Sequence, residues 1–127
     1  MRIVLLPAAQ ATVEILVNTR FRGTGCLLGH RFGAFFLISE ILPLPLRGRV
    51  TARICRTVRE TYREKFLGVF FANRTVPSTD DFLENVIMQI SAGRIRFSLF
   101  QIDARSGTRI FHPLKRERRP HAGILDR

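Results

Sequence analysis

Cysteine is scarce. Cys26 and Cys55 are the two in the chain, far apart and outside any CxxC pair, so neither a zinc ribbon nor a dithiol redox motif is supported. Lysine occurs twice, tryptophan not at all and tyrosine once. No lysine follows a glycine loop, and Gly23, Gly25 and Gly29 fit neither the GxGxxG nor the Walker spacing, so no phosphate-cradling loop is expected. A long uninterrupted apolar run is also missing. The most apolar stretch, Gly25 to Leu46, carries His30, Arg31 and Glu40 and is broken by Pro43 and Pro45, so it does not read as a membrane span. The opening Met-Arg-Ile-Val-Leu-Leu-Pro is too short for a secretory core and has no small-residue cleavage site. A reduced, cytoplasmic protein is the expectation.

What the chain does contain is apolar mass and arginine. Its 127 residues are enough for one hydrophobic core, and eleven phenylalanines within a 46% hydrophobic composition argue for a packed globule. The formal net charge is +11, from nineteen arginines and two lysines against ten carboxylates. Such a balance suits a polyanionic partner, although compositional bias explains an arginine excess equally well. Thr75 to Ala104, with Asp80, Asp81, Glu84 and Asp103, is locally acidic, and the basic excess flanks it.

Taken in order, Ile3 to Leu6 suits a first strand. Pro7 sits where a helix starts, and Ala9, Val13, Leu16 and Val17 can share one face of a helix over Ala8 to Asn18. Thr24 to Gly29 and Ala34 to Leu42, turning at Arg31-Phe32-Gly33, predict a β-hairpin ended by Pro43 and Pro45. Val50 to Cys55 alternates as a half-exposed strand, and Val58, Tyr62 and Phe66 repeat as a short amphipathic helix. Phe66 to Phe71 is an apolar run expected to be a strand buried on both faces. Ser78 or Thr79 then caps an expected helix with Asp80, Asp81 and Glu84 in its first turns, Phe82, Val86 and Ile90 as its inner stripe, and Ala92-Gly93 as its end. Ile95 to Ile102 and Thr108 to Phe111 flank a turn-rich loop and predict two antiparallel strands. Residues 1–113 read as one domain, and 114–127 as a basic, mobile tail.

Several local motifs, in this order, resemble the JAB/MPN (Mov34) domain, whose catalytic members are the JAMM metalloproteases. Gly25-Cys26-Leu27-Leu28-Gly29 is similar to the family's glycine-ended strand, and Leu42-Pro43-Leu44-Pro45 to its proline pair. Phe66-Leu67-Gly68-Val69-Phe70 resembles the strand leading to the metal motif, Pro77-Ser78-Thr79-Asp80-Asp81 its Pro-Ser-x-x-Asp, and Ile95 to Phe100 the strand after the helix. The resemblance implies an α/β fold of the α+β type: a mixed, mostly antiparallel sheet flanked by helices, with cytidine-deaminase-like layering. It also implies a degenerate centre. Where the family has His-x-His this chain has Phe71-Ala72-Asn73, and Arg20 to Thr24 hold no carboxylate for the general base. A zinc site of that kind needs two imidazoles, a carboxylate and a proton-accepting Glu. No metal, no cofactor and no catalytic residue is therefore expected, and isopeptide hydrolysis is expected to be lost.

Phe71, Asn73, Ser78 and Asp81 are the degenerate cleft positions. Ser78 reads either as an oxyanion-stabilising group or as a helix N-cap, and Asp81 either as a surviving ligand or as a first-turn carboxylate. Non-catalytic members of the family act as scaffolds, so a protein-binding module is the first expected function. Its partner would be another JAB/MPN-like domain or a ubiquitin-like protein, with a homodimer left open and no membrane partner. The first alternative is a nucleic-acid-binding module using Arg47, Arg49, Arg53, Arg56, Lys115, Arg116, Arg118 and Arg119. The second is a JAMM-like isopeptidase with ligands displaced to His30 or His112.

Overall fold

In the computed structural model the described residues are 1–44, 57, 60, 61, 65–74, 85–103 and 105–117. They form a closed barrel. Strands β1 (Arg2–Leu5), β2 (Gly23–Phe32), β3 (Phe35–Leu44), β4 (Phe66–Ala72), β5 (Asn85–Ser91), β6 (Arg94–Ile102) and β7 (Arg109–Glu117) pair in the order β1-β3-β2-β4-β5-β6-β7, and helix α1 (Pro7–Asn18) joins β1 to β2. β1 closes the barrel by running parallel to both β3 and β7; β4 and β5 are also parallel, and the other four pairs are antiparallel. An Arg2–Glu117 ion pair bridges the β1–β7 seam.

Strand periodicity divides β4, β5 and β6 into two faces. Phe70 and Ala72, Val86, Met88 and Ile90, and Phe97 and Leu99 point into one buried cluster with Ile3, Leu27, Phe36, Ile38 and Leu114. The residues between them, Val69, Phe71, Ile87 and Phe100, form a second cluster on the opposite face. Phe36 and Ile38 are followed inward by Ile41 because Ser39 is an extra residue opposite Leu28 and Gly29. This bulge shifts the pleat by one, and the Ser39 hydroxyl donates to the Leu28 carbonyl at 3.2 Å. Gly25 is required by close approach, since a Cβ there would collide with the Leu42 carbonyl and the Phe70 ring.

Helix α1 starts at Pro7 and turns Ala9, Val13 and Leu16 into the interior cluster, as the sequence predicts. β1 ends, and β2 begins, at the same end of the barrel, so the helix between them crosses that end and covers the core there.

Several expectations are corrected. The helix-flanked α/β sheet is replaced by the closed barrel: α1 is the one helix with both ends described, because the apolar residues of β4 to β7 alternate and pair edge to edge until the sheet closes. The JAB/MPN (Mov34, JAMM-like) resemblance falls with it, since that layering needs an open sheet between helices. The helix expected up to Ala92-Gly93 is, from Asn85 onward, strand β5. Ala92 and Gly93 have φ of 51° and 76° and form the two-residue turn between Ser91 and Arg94, the backbone that a type I′ hairpin requires. β3 also runs through Pro43, which pairs opposite Gly25, instead of stopping before it. The strand and helix expected over residues 50–66 fall largely outside the described residues, where Thr57, Glu60 and Thr61 are helical. β7 continues to Glu117, and residues 118–127 lie outside the described set.

Candidate functional site: an arginine-lined recess

The sheet register brings together, at the helix-covered end of the barrel, residues that are scattered in sequence. Gly23 pairs with Ala72, Ala72 with Ile90, and Ser91 with Arg94. The positions flanking these pairs on the outer face are Arg22, Asn73, Ser91 and Arg94. One level further along lie Thr24, Phe71, Gln89 and Arg96. A recess of about 1010 Å³ opens here, lined by Arg22, Asn73, Arg74, Gln89, Ile90, Ser91, Ala92, Arg94 and Arg96. Among the described residues that line it, four are arginines, none is acidic and none is aromatic.

The scaffold beneath the arginines is well bonded. The Asn73 backbone N–H donates to the Ile90 carbonyl at 2.7 Å, and its side-chain amide donates to the Phe21 carbonyl at 2.8 Å. Asn73 thereby ties the chain that carries Arg22 to the end of β5. Its φ of 53° is a left-handed conformation that asparagine tolerates. The other two described non-glycine residues with positive φ, Arg20 and Ala92, belong to the same end of the barrel. Thr24, buried one step below, donates its hydroxyl to the Phe70 carbonyl at 2.7 Å.

The arginines themselves are uncommitted. Among the described residues, none of Arg22, Arg74, Arg94 and Arg96 has an ion-pair or hydrogen-bond partner for its side chain. Of the other described cations, Arg2 pairs with Glu117, Arg116 with the Gln10 side chain, and Arg31 lies 5.2 Å from the Phe36 ring centroid. Arg20, Lys65, Arg105 and Lys115 also have no side-chain partner among the described residues, so it is convergence on one recess that distinguishes the four. Four unneutralised guanidiniums around a polar floor of amide and hydroxyl groups favour a ligand with several negative oxygens.

Of the residues singled out in the sequence, Phe71 is buried on the outer face of β4 against Val69, Ile87 and Phe100, and Asn73 lines the recess. Lys115 is exposed on β7 and Arg116 is half-buried beside α1; neither lines the recess. Arg47, Arg49, Arg53, Arg56, Ser78, Asp81, Arg118 and Arg119 lie outside the described residues. His30 on β2 and His112 on β7 are separated by β3 and β1. No group of three His, Cys, Asp or Glu side chains able to hold a metal occurs among the described residues. Cys26 is buried, and burial pushes its thiol up to about 11, which keeps it protonated and unreactive. No described helix is long and apolar enough to cross a membrane.

Sequence reasoning missed Arg22, Arg74, Arg94 and Arg96 because it sought runs of basic residues. The one signal available was Arg94-Ile95-Arg96, whose alternation places both guanidinium groups on one face of a strand.

No protein-family model matches the chain, and no curated protein matches it. Among solved structures, the solution structure of protein DSY2949 from Desulfitobacterium hafniense is similar with a TM-score of 0.53 over 92% of this chain and 94% of that one, at 16% sequence identity. At that identity the likeness concerns the fold alone, and it agrees with a barrel in place of the helix-flanked sheet.

Proposed function

We propose that this protein is a nucleic-acid-binding module that holds the phosphate backbone in the arginine-lined recess. The observation that carries this reading is the convergence of Arg22, Arg74, Arg94 and Arg96 on one recess with no described carboxylate to neutralise them. Arginine forks pair with phosphate oxygens through two parallel hydrogen bonds, and the absence of an aromatic ring among the described lining residues favours backbone contact over base stacking. A cytoplasmic location suits this reading, with the buried Cys26 thiol kept reduced.

The scaffold reading has less physical support. Strand addition needs a free sheet edge, but the closed pairing leaves none of the seven strands as an edge. A helix-in-groove partner needs the apolar stripe of α1, and that stripe already packs into the core.

The test is fluorescence anisotropy with labelled single-stranded and duplex oligonucleotides of mixed sequence, across a salt series. Binding is expected, with log affinity falling steeply against log salt. Arg94→Gln combined with Arg96→Gln should weaken it by about tenfold or more at unchanged thermal stability. No binding at physiological salt, or binding that this double variant leaves unchanged, would overturn the proposal.

A further inference from the structure

Within that reading, the layout of the recess bears on what kind of nucleic acid it takes. The four arginines are not evenly spread. Arg22 and Arg74 belong to the β2 and β4 side, Arg94 and Arg96 to β6, and β5 lies between them with Gln89 and Ser91 facing outward. At the usual strand spacing, β4 and β6 are about 10 Å apart and β2 and β6 about 14 Å apart. The recess thus has two cationic poles and a neutral polar floor.

From this we infer that the recess binds a short segment of single-stranded nucleic acid, with one phosphate at each pole and the intervening sugar and base edge over Gln89 and Ser91. The inference rests on the nucleic-acid reading above. A single phosphate reaches one pole only and gains half of the available contacts. A chain of inorganic polyphosphate would place further anionic groups over a floor that has no cation to meet them. A duplex is wider than its major groove, which alone is about 12 Å across, so it does not enter between poles that stand about 10 to 14 Å apart. Gln89 is half-buried, lines the recess from β5 and sits opposite Arg96 across the β5–β6 pair, which places an amide between the poles for sugar hydroxyls or base edges.

Asn73 is the positioning residue for the first pole. Its two hydrogen bonds, one to Phe21 and one to Ile90, fix the separation between the Arg22 segment and β5.

The test compares a mononucleotide, a dinucleotide, an oligothymidylate of about eight residues, inorganic polyphosphate of matched charge and a duplex, each titrated against the full chain. Four proteins are used: wild type, the Arg22→Gln/Arg74→Gln pair, the Arg94→Gln/Arg96→Gln pair, and the fourfold variant. The wild type should gain about tenfold or more in affinity from the mononucleotide to the oligothymidylate, and prefer the latter to polyphosphate and duplex. Each pair variant should lower the salt slope for the oligothymidylate by about 0.7, the value for one phosphate contact on a single strand. Each should also abolish most of the gain with length. All four side chains lie at least partly in solvent, so the variants are expected to fold; circular dichroism checks this. A recess-dependent affinity with no step in length, a contribution from one pair only, or a preference for polyphosphate or duplex would overturn the two-pole inference. Of these, the first two and a preference for duplex leave nucleic-acid binding itself standing. Oligothymidylate binding unchanged in the fourfold variant would overturn both.

Discussion

The outer face of β4, β5 and β6 changes character along its length. Val69, Phe71, Ile87 and Phe100 make one half apolar and buried, with the Phe100 and Phe111 rings 5.1 Å apart edge to face. One or two pleats further on, the same strands present Asn73, Gln89, Ser91, Arg94 and Arg96. The inward face shows no such change: Val86, Met88, Ile90, Phe97 and Leu99 are all core. The core runs the full height of the strands, so folding does not require the outer face to switch from phenylalanine to arginine. The switch occurs on all three strands within two neighbouring levels, Phe71 on β4 still lying beside Gln89 and Arg96, and those levels are the edge of the recess.

The comparison can be broken first at its apolar side. Phe70→Ala, in the core beneath the recess, should cost about 3 to 5 kcal/mol in chemical denaturation, while the Arg94→Gln/Arg96→Gln pair should stay within about 0.5 kcal/mol of wild type. If the arginine pair were comparably costly, those residues would belong to the fold and the division between the two halves would fail.

Cys26 sharpens the buried side through pH. Burial pushes its thiol from an ordinary value of about 9.0 up to about 11. Below pH 9 both states are protonated and the stability is fully present. As pH rises toward 11 the unfolded chain loses the proton first, so the folded state should lose up to about 2 kcal/mol that a Cys26→Ala variant does not lose. Equal pH dependence in both proteins would mean that the thiol is not sequestered.

Asn73→Gly keeps a left-handed backbone and removes the bond to the Phe21 carbonyl. A loss of about 1 kcal/mol in stability is expected, together with weaker oligonucleotide binding through the displaced Arg22 segment. A loss of stability with full binding would show that the first pole does not depend on this bond. The smallest effect belongs to Ala92→Gly, which relieves a left-handed alanine in the β5–β6 turn and should raise stability by about 0.5 kcal/mol in chemical denaturation.

Much of the fold was legible because the local signals were unopposed. Pro7 with Ala9, Val13 and Leu16 marked α1, the glycine-bounded apolar runs marked β2 and β3, and Phe66 to Phe71 marked β4. The stretch before Ala92-Gly93 was misread for an identifiable reason. Val86 and Ile90 are four apart and satisfy a helical stripe as well as a strand, and Ala92-Gly93 can end a helix as readily as it forms a hairpin turn. The acidic residues upstream tipped the reading toward a helix, whereas Ile87 and Met88, buried on opposite faces, mark a strand. That error sustained the family resemblance, since the expected helix was one of its parts. Beyond the Arg94-Ile95-Arg96 alternation, the recess has no signal in local pattern. Arg22, Arg74 and Arg94 lie far apart in sequence, and only the pairing of β2, β4, β5 and β6 makes them neighbours.

The most direct measurement is nuclear magnetic resonance of the isotope-labelled protein, following arginine Nε–Hε and backbone amide signals while an oligothymidylate is added. Shifts concentrated at Arg22, Asn73, Arg74, Gln89, Arg94 and Arg96, with Arg2, Arg31 and Lys115 unmoved, are the predicted result. Shifts centred on the β1–β7 seam, or spread evenly over all arginines, would contradict the recess as the binding site.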